Sequence, residues 1–165
     1  MPDKRTIERA HRDQREGKAP TTQAGEFVRE EIEHIREGKH GARSAKQAIA
    51  IGLSKARRAG VHLAPPAKGT VSEQTRRSAQ RAAAAGHRPD APVSRTRSRA
   101  VVQALRHEGQ AAASETALSR HTKAAARQRS ASERSDTARK AAQTKGPTAR
   151  SEAATKAART RKSKP

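Results

Sequence analysis

From Pro20 to Gly60 the chain reads PTTQAGEFVREEIEHIREGKHGARSAKQAIAIGLSKARRAG, and this stretch decides the fold. Ala24, Phe27, Val28, Ile32 and Ile35 recur at spacings of three and four, the period that gathers side chains on one face of an α-helix. Ala19-Pro20-Thr21-Thr22 opens that helix with a threonine available as N-cap, and Gly38 closes it. After a short loop of Gly, Lys and His, Ser44 and Gln47 form a capping-box signature, and Gly60 supplies a left-handed stop behind Ala59. A second helix is therefore predicted from about Ala45 to Ala59. Its inner face, Ala45, Ala48, Ile49, Gly52, Ala56 and Ala59 with Leu53 at the flank, is small enough for another helix to approach closely. The two helices are expected to pair as a hairpin over residues 20–64.

The outer faces of this pair carry opposite charge. On the first helix Glu26, Glu30, Glu33 and Glu37 fall within roughly 60° of one another at about 100° per residue, a face that repels a phosphate backbone. On the second, Arg43, Lys46, Gln47, Ala50, Ser54, Arg57 and Arg58 make a stripe with cations at both ends and small residues between, suited to lying flat on phosphates.

Outward from the hairpin the chain changes character. Eleven large apolar residues lie in the first 66 positions and six in the remaining 99, so the longer part has little with which to offset its chain entropy. Residues 1–66 carry 14 Lys and Arg against 9 Asp and Glu, and residues 67–165 carry 23 against 7, which places most of the net charge of +21 behind Pro66. Residues 1–19 are helix-prone but have only Ile7 and Ala10 to pack, and are expected to be a charged arm. Past Pro65-Pro66, helix is predicted from Thr70 and Glu73 to Ala85. A linker at Pro89 and Pro92 follows, then helix from Ser94 to His107. Beyond Gly109 the Ala/Ser/Thr/Lys/Arg sequence has high helix propensity and nothing to pack against. Residues 65–165 are therefore expected to be a basic, partly disordered and conditionally helical low-complexity region.

The same residues exclude several chemistries. With Phe27 as the sole aromatic residue, base stacking on aromatic platforms is effectively excluded. No cysteine is present, hence neither a disulfide framework nor a thiolate metal site. The seven histidines show no pair at i, i+3 or i, i+4 and no completing acid, so they are expected as solvated loop or helix-end residues, without metal or cofactor. Gly38 to Gly41 lacks the Gly-Lys-Ser/Thr of a phosphate-binding loop, and no serine or threonine stands where a buried nucleophile could be built. No enzyme activity is expected. No apolar run reaches membrane-spanning length and the start lacks the apolar core of a secretory signal, so a cytoplasmic, nucleoid-associated protein is the expectation.

The blocks Gly25-Glu26-Phe27-Val28-Arg29-Glu30-Glu31-Ile32 and His40-Gly41-Ala42-Arg43-Ser44-Ala45-Lys46-Gln47-Ala48-Ile49-Ala50-Ile51-Gly52-Leu53-Ser54 resemble a family of small basic bacterial proteins whose shared domain has no assigned function. The resemblance covers about residues 20–64. It extends to a Lys/Arg/Ala-rich tail such as Lys145 to Ser151, also similar in composition to the tails of linker-histone-like nucleoid proteins. Members are labelled at best as DNA-binding or plasmid-stabilisation proteins, and kinship is what the resemblance implies.

Fold class and partner follow. The chain is expected to be mainly α, a short helical hairpin with long cationic extensions, binding double-stranded DNA with little sequence dependence by neutralising phosphates. The residues expected at the nucleic acid are Arg43, Lys46, Gln47, Arg57 and Arg58 on the second helix, and Arg127, Arg129, Arg139, Lys140, Lys145, Arg150, Lys156, Arg159, Arg161, Lys162 and Lys164 in the tail. RNA or ribosome association satisfies the same charge, and a stress or partner-binding protein using the glutamate face of the first helix is a third reading.

Overall fold

The computed structural model describes residues 2–88 and 94–162; the expected linker prolines Pro89 and Pro92, and Lys164, lie outside them. The described residues are mainly helical: α1 (Lys4–Arg15), α2 (Pro20–Arg36), α3 (Ala45–Arg58), α4 (Glu73–Gly86), α5 (Arg95–Arg106), a 3-10 turn (Ala111–Ala113), α6 (Glu115–Gln128) and α7 (Ala131–Lys162). The chain divides into two compact units, residues 1–121 and 122–165.

In the first unit α2 and α3 pack together in the register their small residues permit. A Cβ on Gly52 would stand 2.7 Å from Val28 Cα, so the second helix comes this close only because that position is glycine. Phe27 and Ala56 share one apolar cluster with Ala10 and Ala24, and Ile35 and Ala48 share another with Ala42, Ala112 and Ala113. Ser44 caps α3 as its sequence implies: Gln47 N–H donates to the Ser44 hydroxyl, and the Gln47 side-chain oxygen accepts from Arg43 N–H. The start of α2 differs. Its N-cap is Ala19 with Pro20 at the first helical position, and no threonine side chain caps it, because the proline ring presets φ and removes one orphan donor by itself. Likewise α4 is capped by Ser72, whose hydroxyl accepts from Thr75 N–H, in place of the expected Thr70.

Three segments outside residues 20–64 join this core, so no free-standing hairpin results. Thr6, Ala10 and Asp13 of α1 are buried against α2, and the expected N-terminal arm is a packed helix. A Cβ on Gly86 would come 2.1 Å from Arg57 O, which measures how closely α4 meets α3. Gly41 N–H donates to Leu105 O and Ala42 N–H to Gly109 O, docking the segment behind α5 onto the α2–α3 loop. Ala112 and Ala113 supply the apolar part of that contact. Alanines with a little backbone pairing thus do what the sequence reading reserved for large side chains.

The second unit is a correction of another kind. Residues expected to be partly disordered form the C-terminal part of α6 and all of α7. A capping box starts α7, with Glu133 N–H donating to the Ser130 hydroxyl and the Glu133 carboxylate accepting from Ser130 N–H at 2.8 Å. At Gly146 (φ 68°, ψ 171°) the helix is interrupted, and Pro147 begins its second segment. No residue of α7 is buried.

Candidate nucleic-acid interface

The cations expected on α3 separate into two groups. Arg43, Lys46 and Arg58 are exposed. Arg57 is 6% exposed: its Nε donates to Leu63 O and its Nη2 to Ala64 O, both at 3.1 Å, so it pins the segment that follows α3. Burial lowers its pKa from the ordinary arginine value. The Gln47 side-chain oxygen accepts from Arg43 N–H, one residue before the N-cap. A continuous basic stripe is therefore not what α3 presents. The helical wheel places Arg57 outward, but α4 and the returning chain cover that side of α3.

The acidic face of α2 is likewise divided. Glu26 is paired with Arg9 of α1 and with Arg29, and Glu30 accepts from the Asp3 backbone N–H with both oxygens at 3.3 Å. Glu33 and Glu37 remain exposed. The periodicity assumed one buried stripe, whereas α2 is covered by α1 and by α3, so polar residues beside the stripe are enclosed too.

Further exposed arginines stand where the sequence reading placed no site: Arg77 and Arg81 on α4, and Arg95, Arg97, Arg99 and Arg106 on α5 beside the exposed Val101 and Val102. Their signal is simple charge density on two segments whose helices the sequence already predicts.

In the second unit Arg127, Arg129, Arg139, Lys140, Lys145, Arg150, Lys156, Arg159, Arg161 and Lys162 are all exposed. At about 100° per residue those of α7 lie on every side of the helix, with alanines scattered between. Acids are few: Glu133, Asp136 and Glu152, the first held below the usual carboxylate range chiefly by the Ser130 backbone N–H. Thr137, Thr144 and Thr155 donate their hydroxyls to carbonyls four residues back, and Arg150 Nε donates to Gly146 O.

Two of the seven histidines depart from the solvated positions expected of them, whereas His11, His62, His87 and His107 are exposed. His34 and His40 come together with Glu30, Glu31, Asp3 and Lys55 between the end of α2, the following loop and α3. In the sequence Glu30 and Glu31 stand four and three residues before His34, a spacing that places them one helical turn from it. Gly38 (φ 74°) turns the chain so that His40 returns to the same place. Lys39 N–H donates to His34 O and Gly38 N–H to Ile35 O, the two bonds of a Schellman turn.

No family model matches this chain, and the searches of curated proteins and of solved structures returned no match. Among the described residues no helix is long and apolar enough to cross a membrane.

Proposed function

We propose that the protein is a non-enzymatic, largely sequence-independent DNA-binding protein of the nucleoid-associated, histone-like kind, working in the cytoplasm by neutralising phosphates of double-stranded DNA. The observation that carries this reading is α7, two helical segments meeting at Gly146 with no buried residue and cations on every side. Within a protein a helix polar all round has no apolar face to bury, so its stability must come from elsewhere. A polyanion supplies what is missing: it screens the like charges and gains the release of counterions. The helix is then one that DNA consolidates. Arg43 just before α3, Lys46 and Arg58 on it, and the arginines of α4 and α5 add contacts from the first unit. Kinship with the small basic bacterial family rests on the two sequence blocks quoted above and points the same way.

The deciding experiment is titration of the full chain with duplex DNA at several salt concentrations, with duplex RNA and single strands as competitors. The reading expects weak sequence dependence and a log K that falls linearly with log salt by about 0.9 per neutralised phosphate. A preference above about a hundredfold for one short duplex sequence at physiological salt, or for RNA over DNA, overturns it.

A further inference from the structure

Glu31 is fully buried, and neither of its carboxylate oxygens accepts a well-directed hydrogen bond. Oε2 is in charge contact with Lys55 Nζ at 2.5 Å, and Oε1 faces His40 Nε2 at 3.3 Å. The other nitrogen of that ring, Nδ1, lies 3.1 Å from Gly41 O. A carbonyl only accepts, so Nδ1 carries the hydrogen, and in the neutral ring Nε2 is left as a lone pair aimed at a carboxylate oxygen. Two acceptors facing each other inside the protein need positive charge between them, which either a proton on Nε2 or a metal ion supplies.

His34 stands beside them, its ring edge-on to that of His40 with centroids 6.3 Å apart. One ligand atom from each of Glu31, His34 and His40 lies within 4.8 Å of the others, close enough to share one ion. The local charge agrees. Among the described residues Lys55 contacts both Glu30 and Glu31 while Asp3 contacts His34, so carboxylates outnumber the paired cations and further positive charge is accommodated here. Both histidine side chains keep 13% of their surface exposed, which gives an ion a way in to a carboxylate that has none of its own.

We propose that Glu31, His34 and His40 form a binding site for a divalent transition metal of the zinc class. Two imidazole nitrogens and one carboxylate oxygen are the donors such ions prefer over calcium or magnesium, and the Gly41 carbonyl is the outer partner that fixes the tautomer of a ligating histidine. Lys55 engages the oxygen of Glu31 that the ion does not use. The site ties the end of α2 to the loop on which the segment behind α5 is docked through Gly41 and Ala42, so the bound ion acts as a structural clamp on the first unit.

The test uses the full chain stripped with a chelator and titrated with zinc alone, and with cobalt as a spectroscopic probe. One equivalent should bind, raise the melting temperature and, with cobalt, give the visible absorption of a site with mixed nitrogen and oxygen ligands. His34→Gln and His40→Gln should each weaken binding at least about tenfold. The double variant His62→Gln, His87→Gln removes the other close histidine pair, whose rings are 5.7 Å apart, and should leave binding unchanged. In the unaltered chain zinc should shift the ring resonances of His34 and His40, a readout independent of whether any variant folds. No saturable binding, binding insensitive to His34→Gln and His40→Gln, or binding lost in the His62/His87 variant alone would overturn the assignment.

Discussion

The first unit and α7 are both helical and both cationic, yet they hold their helices by different physics. In residues 2–121 each helix from α1 to α4 buries something: Phe27 and Ile35 on α2, Ala48, Gly52 and Ala56 on α3, Ala10 on α1, Ala79 and Ala82 on α4. In α7 nothing is buried, and the helix rests on propensity, one capping box and hydroxyls bonded to its own carbonyls. Charge therefore plays two parts in one chain. In the first unit part of it is folded inward, as in Arg57 and Glu30; in α7 all of it stays at the surface.

The sharpest way to break this comparison is to remove α7. A chain ending at Gln128 should lose most of its DNA affinity and at least half of its salt slope, since each lost phosphate contact subtracts about 0.9. It should still melt cooperatively, because the packed residues of the first unit are untouched. A truncated chain that keeps the full slope would place the binding module in the first unit. The opposite intervention is Gly52→Val, which forces a side chain into the Val28 backbone and should destabilise the first unit by about 2–3 kcal/mol while leaving the salt slope of DNA binding unchanged. Thermal or urea melts beside DNA titrations check both halves of that statement.

Adjacent arginines allow a finer test. Arg58→Gln should weaken DNA binding a few-fold with little change in melting temperature, whereas Arg57→Gln should lower the melting temperature by leaving the Leu63 and Ala64 carbonyls without their donor. Gly25 offers a gain, because it lies inside α2 with open space around its Cα: Gly25→Ala should stabilise by about 0.5–1 kcal/mol in the same melts. The smallest effect concerns pH. The Ser130 N–H holds the Glu133 carboxyl below the usual range, so the cap is intact above that range and is lost as pH falls through the lowered value. Acidification below about pH 4 should fray the start of α7, seen as a small loss of helical dichroism that Glu133→Gln abolishes.

Much of the fold was legible because helices announce themselves locally. The period in Ala24 to Ile35, the Ser44/Gln47 box and the Gly38 and Gly60 stops placed α2 and α3 to within a few residues, and Ser94 to His107 anticipated α5. What escaped notice was packing by small residues. Ala112 and Ala113 looked like low-complexity sequence, and their burial depends on two backbone hydrogen bonds to Gly41 and Ala42 from a segment more than sixty residues away. The histidine cluster was half legible, in the spacing of Glu30 and Glu31 to His34. Its other half was not, because His40 reaches it only through the turn at Gly38.

By itself the sequence determined where the helices lie, that charge concentrates toward the C-terminus, and that large apolar residues concentrate at the start, since these follow from propensity, capping and composition, which are local or additive. Only the tertiary structure decided which charges are available. Arg57 and Arg58 are neighbours of the same type, as are Glu30 and Glu33 one turn apart, and nothing local distinguishes them. Their difference arises when α1 covers one side of α2 and α4 one side of α3, because burial belongs to the space between elements and exists only once the elements have met.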